Sequence, residues 1–415
     1  MEEFKAVPLS YAAADVAALP ETRPALHTFP TPVVTLSEDA VRHNLDTMAA
    51  WCRAAGVALA PHGKTTMSRA LWERQLGAGA WGITVATPWQ ASVALDWGVP
   101  RVLLANELVQ PAALRAFSDR IERLTVWADS ERAVQIMTDA LAAAGATAPL
   151  GVLVELGAPG ARTGARDVET ALAVARAVAA SPVLRLAGVA GYEGALAHDE
   201  SAETLARVRR YLEGMLALHD AVADAGLYPE GQPVLLSAGG SAFFDEVVEV
   251  LAPRRDPEGR SGRVVEVVLR SGAYITHDDG YYSRVTPFSR LGGEGFRAAI
   301  HGWATVVSRP EPGLALVDAG KRDLPYDDGL PVPQAVRPFG ASAAEPLTGA
   351  VVTAMNDQHT FVSLPDDAEV RVGDVIRFGL SHPCTTFDKW RALAVVDDAL
   401  ADDPRVIGLL ETAFG

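Results

Sequence analysis

Lys64 closes the run VALAPHGK, an apolar stretch that reads as a buried strand, and an ammonium group there would be costly to bury without a task. An amine at such a strand end can form an imine with an aldehyde cofactor and later return as a general base. The plain alternative is a lysine that snorkels from a rim. A second reactive set lies far downstream in SHPCTTFDKW (381–390). On an extended segment residues i and i+2 face one side, so the His382 imidazole and the Cys384 thiolate can converge on one ion. A nitrogen paired with a soft sulfur favours Zn2+ over Mg2+ or Mn2+, although an H-x-C pair alone also fits two unrelated loop residues. Phosphate needs converging backbone N–H groups, which Gly-rich turns at helix N-termini supply. SAGGS (237–241), with Ser237, Gly239 and Gly240, precedes the apolar stretch AFFDEVVEVLA, and RSGAY (270–274) presents Gly272, Ala273 and Tyr274.

The elements that must position these groups follow from the pattern of apolar runs. VVTL (33–36), VALA (57–60), GITVAT (82–87), RVLLAN (101–106), LTVWAD (124–129), PLGVLVEL (149–156), LRLAGVAGY (184–192), PVLLSAGG (233–240) and VVEVVLRSGAY (264–274) alternate with stretches of helical spacing. Helical segments such as SERAVQIMTDALAAAG open on Ser and close at Gly, the residues that cap helix ends. Repeated βα units mean parallel strands with crossover helices, and the expected fold is a (β/α)8 TIM-type barrel over 31–280. Nine runs are one too many for a closed eight-stranded ring, so one of them lies outside it. An open doubly wound sheet is the alternative, weakened because no GxGxxG follows the first strand.

After the polar loop PRRDPEGRSGR (253–263) helical patterning fades and alternation takes over, as in HGWATVVSR and EVRVGDVIRFGL. That reads as an antiparallel β domain over 281–415 carrying the His382–Cys384 pair, with residues 1–30 packed on it. The 415 residues are enough for both units. A formal charge of −16 excludes nucleic acid as the expected partner, since phosphate binding needs clustered Lys and Arg. Two cysteines, Cys52 and Cys384, build no disulfide framework. The N-terminus lacks the apolar core of a signal peptide, and no apolar run reaches the length of a membrane span, so a cytoplasmic protein is expected.

Taken together, TPVVTLSEDAVRHNL and APHGKTTMSRALWERQLGAGAWGITVAT resemble the opening of the alanine racemase-like, fold-type III pyridoxal 5'-phosphate (PLP) enzymes, in particular the branch of D-serine dehydratases and D-threonine aldolases. That branch has a P-H-x-K-T signature, matched by Pro61, His62, Lys64 and Thr65, and the likeness runs from about residue 30 to 390. It implies that Lys64 is the Schiff-base lysine and that His62 lies at the cofactor. In VELGAPGARTGAR it implies that Arg162 reaches the cofactor, and in GYEG that Tyr192 lies beside the pyridine ring; taken alone, these would be a surface arginine and a packing tyrosine. His198 is a candidate acid or base near the substrate. The family uses both glycine turns for phosphate.

The dehydratase branch also carries an H-x-C-x-T motif, matched by His382, Cys384 and Thr386, in which the first two hold zinc; the related aldolases tend to have Asp at the second position. His359 falls in NDQH where the family has E-E-H, a departure that leaves a structural histidine as good a reading. VDAGKRD resembles a family turn in which Asp318 and Gly320 shape the site wall, with Lys321 and Arg322 solvated. The resemblance implies a homodimeric, PLP- and zinc-dependent ammonia-lyase taking a small D-3-hydroxy amino acid such as D-serine to a 2-oxo acid. Retro-aldol cleavage to glycine and an aldehyde is the rival. Racemisation needs no metal, and the short relatives that only carry PLP lack a C-terminal β domain. No motif reads the substrate's side chain.

Overall fold

The computed structural model describes residues 4–197, 199–260 and 262–414. It forms two compact units: residues 49–64 with 74–272, and residues 1–48, 65–73 with 273–415.

The first unit is built on eight parallel strands: Ala58–Leu59, Ile83–Val85, Val102–Glu107, Leu124–Ala128, Leu150–Glu155, Leu184–Ala190, Val234–Ala238 and Val265–Leu269. Each pairs with its sequence neighbour from the second onward, and the eighth pairs back onto the first. The ring closes through a parallel bridge between His62 and Thr84, with the Thr84 N–H donating to the Pro61 carbonyl at 2.9 Å. Most strand residues are buried on both faces, which is why the runs read as continuous rather than alternating. Ala60, Leu103, Trp127, Leu153, Ala187, Leu235 and Val268 fill the interior, small residues facing large ones. The crossover helices start where the sequence caps them: Ser130 accepts from Ala133 N–H before Glu131–Ala144, and that helix ends at Gly145 with φ +66°.

The second unit is a β-rich fold centred on the long strand Ile300–Glu311, which pairs antiparallel with Val33–Ser37, Leu314–Val317 and Val375–Gly379. Here lies the surplus ninth run. Val33–Ser37 is no barrel strand; it is held between Ile300–Glu311 and Ala392–Val396, parallel to the latter. A short, fully buried apolar run looks the same in either sheet, so periodicity could not place it. The stretch 31–48, read as barrel, therefore clusters with the β-rich unit. The N-terminal segment is fastened there as well. The Leu26 N–H donates to the Pro404 carbonyl at 2.8 Å, and Val406 N–H to the Pro24 carbonyl at 2.9 Å. Among the described residues no helix is long and apolar enough to cross a membrane.

Candidate active site

In a parallel barrel the functional groups gather where the strands end. Lys64 stands there, half-buried in a single 3-10 turn, Gly63–Thr65. His62 is enclosed beside it. Burial, and then the charges of Lys64, Arg270 and Arg162, hold its pKa well below that of a free imidazole, so the ring is neutral. Its Nδ1 is buried without a hydrogen-bond partner. A neutral ring with an unfilled polar edge among three cations suits an anionic, planar cofactor, and PLP fits that set. Gly272 is required here, because a Cβ on it would stand 2.5 Å from the His62 carbonyl oxygen.

Arg162 and Tyr192 stand together: the guanidinium lies 4.8 Å from the ring centroid. The first glycine turn is built differently from the expectation. Gly239 and Gly240 donate their N–H groups to the carboxylate of Glu193, at 3.0 and 2.6 Å. Glu193 is fully buried, so in this structure those amides meet a carboxylate of the chain itself. Ser237 is likewise committed: it lies inside the seventh strand, donating to the Val268 carbonyl at 3.0 Å and accepting from Arg270 at 2.8 Å. Arg270 went unremarked in the sequence although it opens RSGAY. Only 4% exposed, it also donates to the Gly191 carbonyl at 2.5 Å and lies over the Trp127 ring at 4.9 Å. It ties the ends of the sixth, seventh and eighth strands together.

Three carboxylates on neighbouring strand ends were also missed. Glu107, Asp129 and Glu155 each place an oxygen within 4.8 Å of the others. Burial, then the hydrogen bond and charge of Glu155, push the Glu107 carboxyl up to about 8, so it is mostly protonated at neutral pH. Glu155 is also raised by burial, against the hydrogen bonds of Glu107 and Thr163 and the charge of Arg162.

The β-rich unit holds the other reactive pair, by a route the sequence reading did not foresee. His382 and Cys384 are not on an extended segment. His382 sits at φ +53° as the residue before a short helix, Pro383–Phe387, whose first turn carries Cys384. Pro383 takes the helix position that needs no N–H. The side chains still meet: a hydrogen bond to Cys384, ahead of the effect of Asp327, keeps the imidazole pKa up at about 9 despite burial. Nδ1 lies 2.6 Å from an Asp327 oxygen, which leaves Nε2 as the nitrogen for an ion. The other Asp327 oxygen accepts from Thr385 at 2.7 Å, a carboxylate–histidine arrangement of the kind that orients metal ligands. Thr386 returns a hydrogen bond to the His382 carbonyl at 3.3 Å. The Cys384 thiol lies 3.4 Å from Oγ1 of Thr65, the residue after Lys64. One nitrogen and one sulfur with a supporting carboxylate fit Zn2+ better than a hard cation.

The remaining candidates divide. Ala273 and Tyr274 are buried in the β-rich unit, with the Tyr274 ring 5.7 Å from that of Phe296. His359 is exposed in a hairpin turn closed by the Asn356 N–H on its own carbonyl, and joins no metal-ligand cluster among the described residues. Asp318 accepts from Thr31 at 2.6 Å and from the Thr305 N–H at 2.8 Å. Lys321 and Arg322 are exposed. His198 lies outside the described residues.

Comparison with known proteins gives the family of the chain. Residues 36–244 match the family model described as "Alanine racemase, N-terminal domain", and residues 299–396 the one described as "Putative serine dehydratase domain". The chain is 30% identical to 3-hydroxy-D-aspartate aldolase of Paracoccus denitrificans (strain Pd 1222), over 72% of this chain and 74% of that protein. It is 26% identical to D-threo-3-hydroxyaspartate dehydratase of Delftia sp. (strain HT23), over 89% of this chain and 95% of that one. A solved cysteine-to-alanine variant of a D-threo-3-hydroxyaspartate dehydratase in the metal-free form, 23% identical, aligns with a TM-score of 0.73 over 94% of this chain and 100% of its own. The crystal structure of D-threonine aldolase from Filomicrobium marinum is 29% identical, with a TM-score of 0.75 over 92% of this chain and 94% of that chain. With a family match across the barrel and a lysine at its rim, the chain belongs to the alanine racemase-like, fold-type III PLP enzymes.

Proposed function

We propose that this PLP-dependent lyase acts on small D-3-hydroxy amino acids, and that it eliminates water from them to give a 2-oxo acid and ammonia, D-serine being the simplest substrate. The observation that carries the reading is the His382–Cys384 pair, oriented by Asp327, with Cys384 against the residue that follows Lys64. When bound, PLP supplies an electron sink for charge at the substrate α-carbon, and a divalent ion supplies Lewis acidity for a departing oxygen. Lys64 would hold the cofactor through its amine and, when that amine is free, would take the proton from the substrate α-carbon. Arg162, held over Tyr192, would offer its cation to an anionic group of the cofactor, and neutral His62 would pack against it. His382, through Nε2, and the Cys384 thiolate would hold the ion, and a nitrogen with a soft sulfur suits Zn2+. The likeness to D-threo-3-hydroxyaspartate dehydratase, together with Cys384, favours dehydration.

The aldolase relatives favour a second reading, in which the same residues direct Cα–Cβ cleavage to glycine and an aldehyde. Zinc-loaded holoenzyme incubated with D-serine, D-threonine and D-3-hydroxyaspartate decides between them. Ammonia with a 2-oxo acid is the expected product pair; glycine with an aldehyde would replace the first reading by the second. We further infer a cytoplasmic protein and, as the family resemblance implies, a homodimer. Light scattering on a sizing column is expected to give twice the chain mass, and a single chain mass would remove the dimer.

A further inference from the structure

Away from the groups used above, the β-rich unit contains a cavity of about 570 Å3 lined by Ser37, Asp39, Asp279, His301, Gln334 and Arg377, among others. Four buried polar atoms on these side chains have no hydrogen-bond partner: Asp279 Oδ2, His301 Nδ1, Gln334 Oε1 and Arg377 Nε. Buried polar atoms are normally satisfied, so four orphans in one cavity call for something to fill it. The strands show that the cluster is built. His301 pairs with Gly379 and Trp303 with Arg377, which puts His301 and Arg377 on one face of the sheet. The register slips between Pro333 and Ala335, so Gln334 sits in a bulge that re-aims its side chain toward the same place. A Cβ on Gly379 would stand 2.5 Å from Gln334 Nε2 and 2.6 Å from Asp279 Oδ2; glycine leaves that wall open.

The charges specify the filler. Arg377 spends Nη1 on the Ala399 carbonyl at 2.9 Å, and its Nε edge, half of the fork that grips a carboxylate, is unused. Burial raises the Asp279 carboxyl, against a hydrogen bond from Gln334 and the charge of Arg377, and Asp279 and Arg377 form no ion pair among the described residues. His301, only 1% exposed, is neutral and approaches Asp279 Oδ2 no closer than 3.7 Å. Arg297, at the mouth, is already paired with Asp39 at 3.1 Å and Glu294 at 2.5 Å. Asp398 also lines the cavity and its charge reaches Arg377, but the groups left unfilled are Nε of Arg377 on one side and the acceptors Oδ2 of Asp279 and Oε1 of Gln334 on the other. A neutral apolar molecule would satisfy neither charge, and a lone anion or cation would satisfy only one.

We propose that this cavity is a second binding site, for a small zwitterion of the α-amino acid class, its carboxylate on Arg377 and its ammonium on Asp279 and Gln334. The site is independent of the lyase reading and uses none of the residues assigned to it.

The test employs holoenzyme reduced with borohydride, in which the cofactor is fixed to its lysine as a secondary amine and cannot exchange with an added amino acid. Calorimetric titration with glycine is expected to show saturable binding. Acetate and methylammonium, which carry one charge each, are expected to bind at least about tenfold more weakly, as are glycine titrations of Asp279→Asn and Arg377→Gln. Circular dichroism and melting curves check that both variants fold. Ala298→Leu fills the cavity while leaving every polar group in place, and is expected to abolish the heat. No saturable glycine binding to the wild type would mean that only water fills the cavity, and the proposal fails. It also fails if acetate or methylammonium matches glycine, or if glycine binds Asp279→Asn and Ala298→Leu as it binds the wild type.

Discussion

The reactive residues announce themselves by type and place, and their supports do not. Lys64 stood out because an ammonium at the end of an apolar strand needs a reason; His382 and Cys384 because imidazole and thiol two positions apart are metal-ligand chemistry. Asp327, Glu193 and Arg270 reach their partners from dozens of positions away, and no local pattern marks a carboxylate as the one that will face a given histidine. Their importance is testable all the same. Lys64→Ala is expected to lose about 10^3-fold or more in turnover, together with the yellow absorbance of the lysine-bound cofactor; a variant that keeps the colour would remove Lys64 from the centre of the scheme. Asp327→Asn keeps the shape of the site but weakens its hold on Nδ1 of His382. Zinc affinity, read by competition with a coloured chelator, is expected to fall about 10- to 100-fold.

At the scale of the strand, eight of the nine apolar runs lie in the barrel because they alternate with capped helices, the pattern of repeated βα units, while the ninth carries the same buried signature in another sheet. The H-x-C segment was misread as extended, although Pro before Cys384 is also a helix-opening signal. The strand ends carry two further expectations. Gly272→Ala forces a side chain against the His62 backbone, where nothing flexible can yield. It should destabilise the barrel by about 1–3 kcal/mol, visible as a lower melting temperature. The Glu107 carboxyl, raised to about 8 in the folded protein against an ordinary 4.5, binds a proton that the unfolded chain releases. The stabilisation linked to that proton is complete below about 4.5 and is lost as pH rises toward about 8, because there the folded state holds more protons than the unfolded. Glu107→Gln should therefore flatten the decline in melting temperature between pH 5 and 8; an unchanged slope would show that the carboxyl ionises normally.

Across the whole molecule the two cysteines provide a count. Cys52 is buried and its thiol is pushed up to about 12, first by desolvation, so it is nearly unreactive; Cys384 is only half-buried. A chromogenic disulfide reagent should find no thiol in the zinc-loaded native protein, one after chelation, and two after unfolding. A thiol that reacts at full rate with zinc present would contradict ligation by Cys384.

The misplaced strand has a consequence for how such a chain is made. Val33–Ser37 leaves the ribosome before the barrel, but its neighbours Ile300–Glu311 and Ala392–Val396 follow only after it. At ordinary translation rates this apolar ribbon waits on the order of tens of seconds with both edges bare while the whole barrel is made. Such a ribbon invites pairing with other nascent chains, so the yield of native protein should depend on chaperone supply and on the speed of the ribosome more than on the intrinsic sturdiness of either finished unit.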